Sequence, residues 1–150
     1  MLLDYTQTGV VKIDMQDYVE KVLIEMPDDM DGTASSPAAA YLFHIQDGIE
    51  ALDKDKREFF HATVAKLLFL CKRGRPDIQT AIAFLCTRVQ APTRHDYNKL
   101  SRVIKYLRGT EQLILRLSAD NLSIVKWWVD APYGAHYDMK SHTGGVMSLG

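Results

Sequence analysis

The sequence predicts an α+β protein in which a small helical bundle is followed by a three-stranded antiparallel sheet. Apolar residues recur every three to four positions between residues 53 and 110, as they do on the buried faces of helices. After residue 110 the period changes to two, as in strands with one buried face. These changes divide the chain into residues 1–52, 53–110 and 111–150.

The first division begins with a short strand or hairpin arm, because "YTQTGVVKID" has a glycine turn followed by alternating residues. Asp14 is a suitable N-cap for a helix of roughly residues 15–26, which Pro27 ends. Residues 27–52 are rich in Asp, Gly, Ser and Pro and keep no period. They predict an extended connection that crosses the surface.

The second division predicts three helices joined by short connectors. Asp53 and Pro76 stand at the starts of the first two helices. Thr93 caps the third, with Asp96 three residues on in a capping-box-like arrangement, and Gly109 ends it. Such short connectors require the helices to pack as a small antiparallel or angled bundle.

The third division predicts a meander of three strands. "LILRLS" alternates, "ADN" is a turn and "SIVKWWVDA" is a second strand. After a loop, "HTGGVMSLG" is a third apolar segment. We expect these segments to pair in sequence order, which leaves an open sheet edge.

The charge of the chain is distributed unevenly. Residues 1–65 carry a net charge of −8, residues 66–116 carry +8 and residues 117–150 carry −1. A basic central block within a near-neutral chain indicates a polyanionic partner. The alternative is an internal match, in which the acidic first part folds against the basic middle.

Four cationic residues are the candidates for phosphate contacts. Lys99, Arg102 and Lys105 recur every three residues, close to one face of the last predicted helix. Arg75 lies in "CKRGRPD", a basic corner between two helices. Cations spaced by about a helical turn can meet successive phosphates, without reading base sequence. The alternative is an ordinary solvated helix face.

Asp130 follows an apolar run at the end of a predicted strand. A lone carboxylate there is commonly a turn residue, and a two-metal nuclease site needs several carboxylates. A second possibility is a metal site formed by Asp130 with His136, Asp138 and His142. No metal-ligand spacing in the sequence supports that set.

Several function classes find no support in the sequence. It contains no phosphate-binding glycine loop, no G-x-S-x-G and no dinucleotide fingerprint. No apolar run approaches the roughly 20 residues of a membrane span. The absence of a signal-peptide pattern predicts an intracellular protein, cytoplasmic or nuclear, with no membrane partner. Cys71 and Cys86 are therefore expected to be reduced core residues.

Three motifs in the expected order resemble the copia-type retrotransposon polyprotein. They are "RPDIQTAIAFL" (75–85), "APTRHDYNKLSRVIKYLRGT" (91–110) and "VDAPYGAHYDMKSHTGGVMSLG" at the chain end. More weakly, "VVKIDMQDYVEKVLIEM" resembles the strand and helix that follow the polymerase palm in that family. The matching residues are Arg75, Pro76, Asp77 and Ile78; Pro92, Thr93, Tyr106, Leu107, Gly109 and Thr110; and Asp130, Ala131, Ser141, Thr143, Gly144 and Gly150.

The sequence departs from the family pattern at five positions. Asp96 and Tyr97 stand where the family has His-Trp. Pro132 and Tyr133 replace Asp-Trp, and Gly145 replaces Tyr. The palm motif with paired aspartates and the later RNase H carboxylates are both absent. We therefore expect the chain alone to be inactive and to need no cofactor.

The resemblance implies a thumb and connection region of a reverse transcriptase, followed by the first strands of an RNase H-like fold. It implies that the helices hold a DNA–RNA or DNA duplex by its backbone, with Arg75, Lys99, Arg102 and Lys105 as the contacts. Asp130 would be the first Mg²⁺ ligand of RNase H, and the rest of the polyprotein would be a partner. The alternative is a non-catalytic structural or protein-interaction module without nucleic-acid binding.

Overall fold

The protein is described by a computed structural model that covers residues 1–134, 139–141 and 143–150. It is an α+β structure with four α-helices and antiparallel strands within these ranges, which confirms the predicted class. In chain order its elements are β1 (Leu2–Asp4), β2 (Val10–Asp14), α1 (Gln16–Ile24), α2 (Lys54–Cys71), α3 (Gln79–Cys86), α4 (Arg94–Arg108), β3 (Leu115–Ser118), β4 (Lys126–Asp130) and β5 (Gly144–Ser148).

The strand pairing corrects the predicted meander. β3 pairs antiparallel with β2, with Val10 opposite Ser118 and Ile13 opposite Leu115. The first sheet therefore has the order β1-β2-β3, while β4 and β5 form a separate two-stranded ribbon in the described part of the chain. Alternation of apolar and polar residues indicates that a segment forms a strand with one apolar face, but it does not determine which strand it pairs with. The hairpin of β1 and β2 offers an open edge, and β3 pairs with that edge rather than with β4.

The sheet joins the first and third predicted divisions of the chain, since β2 lies in residues 1–52 and β3 in residues 111–150. The division at residues 52 and 110 remains a prediction. The two sheets are connected near the end of the chain, where the Asp120 amide donates a 3.1 Å hydrogen bond to the Leu149 carbonyl oxygen.

The core lies among the four helices. α2 packs on α3 and α1, and α4 contacts all three of the other helices. The buried residues of the core come from all four helices, from the 3₁₀ turn Pro76–Ile78, and from Met15, Met30 and Leu42 outside the helices. They include Met15, Met30, Phe60, Leu67, Leu70, Ile78, Ile82, Leu85, Leu100, Val103, Ile104 and Leu107.

Local signals in the sequence place the helix starts. The Thr93 hydroxyl accepts from the Asp96 amide and the Asp96 carboxylate accepts from the Thr93 amide, which confirms the capping box. The Asp53 carboxylate accepts from the Lys56 amide at the start of α2. Asp14 lies one residue before the cap of α1, which is Met15, and accepts from the Gln16 amide at 2.8 Å.

The extended connection over residues 27–52, all of which the structure describes, is confirmed. It contains one 3₁₀ turn, Asp28–Met30, and no longer helix or strand. Met30 and Leu42 anchor it in the core. Among the described residues, no helix has both the length and the apolar character needed to cross a bilayer.

Candidate nucleic-acid interface and the Asp130 strand end

Arg75 is a buried residue that links two distant parts of the chain through hydrogen bonds. Its side chain is 2% exposed, and Nη2 lies 2.8 Å from Asp77 Oδ2. The guanidinium also donates to the carbonyl oxygen of Thr110 at 3.0 Å and to its hydroxyl oxygen at 2.7 Å. Burial works against the Asp77 carboxylate, yet hydrogen bonds and charge from Arg75 hold the Asp77 pKa below its usual value. All three guanidinium nitrogens of Arg75 thus donate to internal acceptors, and its role as a phosphate contact remains a prediction.

Lys99 is also internal. Its residue is 5% exposed. Nζ donates to the His44 carbonyl oxygen at 2.6 Å and lies 4.5 Å from the centre of the Phe84 ring. Burial lowers the pKa of Lys99, and the Asp96 carboxylate partly offsets that effect. The ammonium of Lys99 therefore has a protein acceptor away from solvent, and its phosphate contact remains a prediction.

Residues 31–36 pass over α4 at Arg102 and Lys105, the two other residues of this helix that are predicted to contact phosphates. Arg102 Nη2 donates to the Ser36 hydroxyl at 3.0 Å, and its Nε is buried with no hydrogen-bond partner among the described residues. Lys105 accepts a backbone hydrogen bond from the Ala34 amide at 3.2 Å. Both side chains are half-buried, so they remain only partly available to a phosphate.

The acidic first part of the chain does fold against α4. Arg108 pairs with Asp31 at 3.2 Å. One end of the same helix holds Tyr97, whose hydroxyl donates to Asp29 at 3.0 Å. Burial and that hydrogen bond raise the pKa of Tyr97 to about 12. The structure thus supports the internal charge match at this helix, which the sequence left as an alternative.

The accessible basic corner lies at the C-terminal end of α2. Lys72 and Arg73 are exposed there, although Arg75 of the same corner is not. The Arg73 guanidinium lies 4.1 Å from the centre of the exposed Phe69 ring. The prediction from sequence missed Phe69, and the available signal was the unbroken apolar run over residues 67–71, which turns around more of the helix than one buried face.

Asp130 ends β4, where it pairs with Gly144 of β5, and its residue is exposed. Over residues 1–134, 139–141 and 143–150, no three acidic, His or Cys side chains are grouped so that they could hold a metal ion. His136, Asp138 and His142 lie outside the described residues. The described residues around Asp130 do not by themselves supply the several carboxylates that a two-metal site needs.

Cys71 is buried and Cys86 is half-buried, and both are free thiols, as the sequence predicts. Burial raises the pKa of both thiols, which keeps them protonated and unreactive.

An apolar groove of about 630 Å³ lies between the first sheet and the β4–β5 ribbon. Val11 and Leu117 line it from the sheet, and Val125 and Met147 line it beside the ribbon. Many large apolar side chains of the ribbon are exposed, including Trp127 at 67%. A two-stranded ribbon with uncovered apolar side chains is marginal by itself in water.

Comparison with known proteins identifies two relatives. A Ty5-1 transposon protein of Saccharomyces cerevisiae is 24% identical over 146 residues, which is 96% of this chain and 46% of that protein. An uncharacterized mitochondrial protein of Arabidopsis thaliana is 39% identical over 51 residues, which is 34% of this chain and 21% of that protein. The chain thus spans less than half the length of the curated relatives it matches.

No family model matches the sequence, and no solved structure matches the fold. The match to a transposon protein along nearly the whole chain confirms the resemblance to copia-type retrotransposon polyproteins.

Proposed function

We propose that this chain is the thumb and connection segment of a copia-type reverse transcriptase, together with the first strands of its RNase H-like domain. The single observation that carries the proposal is the similarity to a transposon protein over 96% of the chain. The order of the three sequence motifs supports the same assignment.

The proposed contribution of the segment is to hold a DNA–RNA or DNA duplex by its phosphates. With Arg75 and Lys99 engaged internally, we propose the exposed Lys72 and Arg73 and the half-buried Arg102 and Lys105 for this task. Such contacts position a duplex without reading its sequence. Each phosphate that is neutralised releases counterions, so binding must weaken as salt rises.

The rest of the polyprotein is the proposed protein partner. Trp127 and Val129 alternate with Trp128 along β4, and all three are exposed. Apolar side chains therefore point to both sides of the ribbon, as in strands that are covered on both faces. Further polyprotein would cover these faces and would bring the carboxylates that Asp130 lacks. Without them we expect no complete Mg²⁺ site and no RNA cleavage, in keeping with the lack of a metal-binding group among the described residues.

A second candidate function is a structural or protein-interaction module without nucleic-acid binding. The observation that favours it is the coverage of α4 by residues 31–36, which uses Arg102 and Arg108 internally. In that case the basic residues between positions 66 and 116 stabilise the fold by pairing with the acidic first part of the chain.

Salt dependence separates the two candidates. The full chain is titrated into a fluorescent 16-base-pair DNA–RNA hybrid, and anisotropy is measured at several salt concentrations. We expect log K to fall linearly with log salt, and Lys72→Ala with Lys105→Ala to reduce the slope by about one per lost phosphate contact. The matched control is Lys54→Ala with Lys56→Ala, which removes the same charge at the opposite end of α2.

No binding at low salt would favour the structural module. An unchanged slope in the Lys72/Lys105 variant would remove those two side chains from the interface. For chemistry, the full chain is incubated with the hybrid and Mg²⁺. Cleavage that is abolished by Asp130→Asn would contradict the proposed inactivity of the chain alone.

A further inference from the structure

Helix α2 has apolar side chains on two faces. One face, with Phe60, Val64 and Leu67, is buried in the core. The other leaves Leu68 and Phe69 exposed, and 42% of the Phe69 surface is accessible. The packing of the four helices covers this second face only in part, through Tyr18 of α1.

The Phe69 ring has an aromatic neighbour and a cationic neighbour. The Tyr18 ring lies 5.2 Å from it, tilted by 41°, and the Tyr18 hydroxyl donates to the Lys66 carbonyl oxygen at 3.3 Å. The Arg73 guanidinium lies 4.1 Å from the centre of the Phe69 ring. The planar cation thus lies over one face of an exposed aromatic ring, and its own outer plane continues the stack.

The charge around the ring is positive where it is accessible. Lys72 and Arg73 are exposed next to one another. The nearby Glu25 carboxylate is paired with Lys66, so its negative charge is offset. The site therefore combines a stacking surface with two accessible cations and suits a ligand that has flat rings and phosphates.

We propose that Phe69 and Arg73 bind unpaired nucleotide bases by stacking, while Lys72 contacts the adjoining phosphate. The ligand class is single-stranded nucleic acid, including the unpaired end of a duplex. This rests on the proposed function and goes beyond it, because backbone contacts to a duplex need no stacking surface. Aromatic rings and guanidinium planes are the groups on which proteins stack unpaired bases.

A protein partner is the less favoured occupant. A stable protein interface buries on the order of 1,200 Å² or more, with an apolar centre. The second face of α2 offers two adjacent large apolar side chains, Leu68 and Phe69, beside two cations. That is enough area for a base or two, and too little apolar surface for a protein.

The test uses the full chain and a fluorescent 12-nucleotide oligothymidylate. Phe69→Leu keeps the side chain apolar and removes the ring, so we expect binding to weaken about tenfold, in the range measured for one lost base stack. The salt slope should not change, because no charge is lost. Lys72→Ala should instead reduce the slope by about 0.7, the value for one phosphate contact on a single strand.

Two further variants complete the test. Arg73→Lys keeps the positive charge but loses the planar guanidinium on which a base can stack. Binding should therefore weaken, while the slope of log K against log salt stays constant. The control is Tyr5→Leu, which removes an exposed ring from the β1–β2 hairpin and should leave binding unchanged. Chemical denaturation of each variant checks that it is folded.

The outcomes distinguish this inference from the proposed function. If Phe69→Leu binds the oligonucleotide as tightly as the wild type while the hybrid is still bound, the stacking site is wrong and the proposed function stands. If the wild type binds neither probe at low salt, both are wrong. If Phe69→Leu weakens binding and Tyr5→Leu does not, the stacking site is supported.

Discussion

Arg75 and Thr110 are joined by two hydrogen bonds across 35 residues of sequence, from the guanidinium to the carbonyl and hydroxyl oxygens of Thr110. Arg75 opens the first of the motifs that resemble the copia-type family, and Thr110 closes the second. The two motifs are therefore in physical contact. This contact fixes the end of α4 against the start of the 3₁₀ turn Pro76–Ile78.

Arg75→Lys should destabilise the protein. Lysine retains the charge but cannot donate to Asp77 and to both Thr110 oxygens at once, which leaves buried acceptors unpaired. We expect the free energy of unfolding in urea to fall by about 2 kcal/mol. Arg73→Lys is the matched control, at an exposed site two residues away, and should change it by less than about 0.5 kcal/mol. Equal effects would contradict the internal role of Arg75.

Gly74→Ala should also be destabilising. A Cβ at residue 74 would lie 2.5 Å from the buried Met15 Cγ, so Met15 or the backbone must move. Overpacking of this kind costs about 1–3 kcal/mol. At Gly109, by contrast, the nearest atom would be Thr33 Cβ at 3.4 Å, an ordinary contact. Thermal denaturation should therefore show a lower Tm for Gly74→Ala alone, and a similar loss in Gly109→Ala would refute this explanation.

The stability should depend on the protonation of His95. Burial lowers the pKa of His95 below 6.5, and Lys99 and His44 add to this effect while Asp96 opposes it. The unfolded chain therefore takes up the proton first, so stability is lost as the pH falls from 6.5 toward the folded pKa. We expect the unfolding free energy of the wild type to decrease over this window relative to that of His95→Gln. A wild type and a His95→Gln variant that lose stability equally over this window would contradict the role of His95.

The ribbon of β4 and β5 should tolerate polar substitution. Val129 is exposed, and threonine retains the preference for a strand, so Val129→Thr should change the unfolding free energy by less than about 0.5 kcal/mol. The same change at the buried Val103 places a hydroxyl in the core and should cost about 1–3 kcal/mol. Trp127→Thr with Val129→Thr should also reduce self-association in light scattering. A large stability loss in the ribbon variant would mean that the exposed face is packed in the isolated chain.

Local signals predicted the elements well. The capping box at Thr93, the glycine after α4 and the proline before α3 act within a few residues, so sequence spacing was sufficient to place them. The extended connection was equally predictable, because its composition opposes both helix and strand. The class of the protein followed from these elements.

Pairing and burial were harder to predict, since both depend on residues that are distant in the sequence. Nothing near "LILRLS" indicates that its partner is β2. Lys99 lies at the edge of a helical stripe, and only the placement of His44 and Phe84 makes it internal. Counting charges along α4 treated every cation as exposed, whereas the acidic segment before α2 covers several of them.

The pairing of Val10 with Ser118 also has a consequence for synthesis of the protein on the ribosome. The β1–β2 hairpin is made early, but the strand that completes its sheet emerges only after all four helices. At about 5–20 residues per second, the hairpin edge waits roughly 5–20 s for its partner. A nascent chain with such an exposed edge is prone to pair with its neighbours on a polysome, which makes early binding by a chaperone advantageous for this polypeptide.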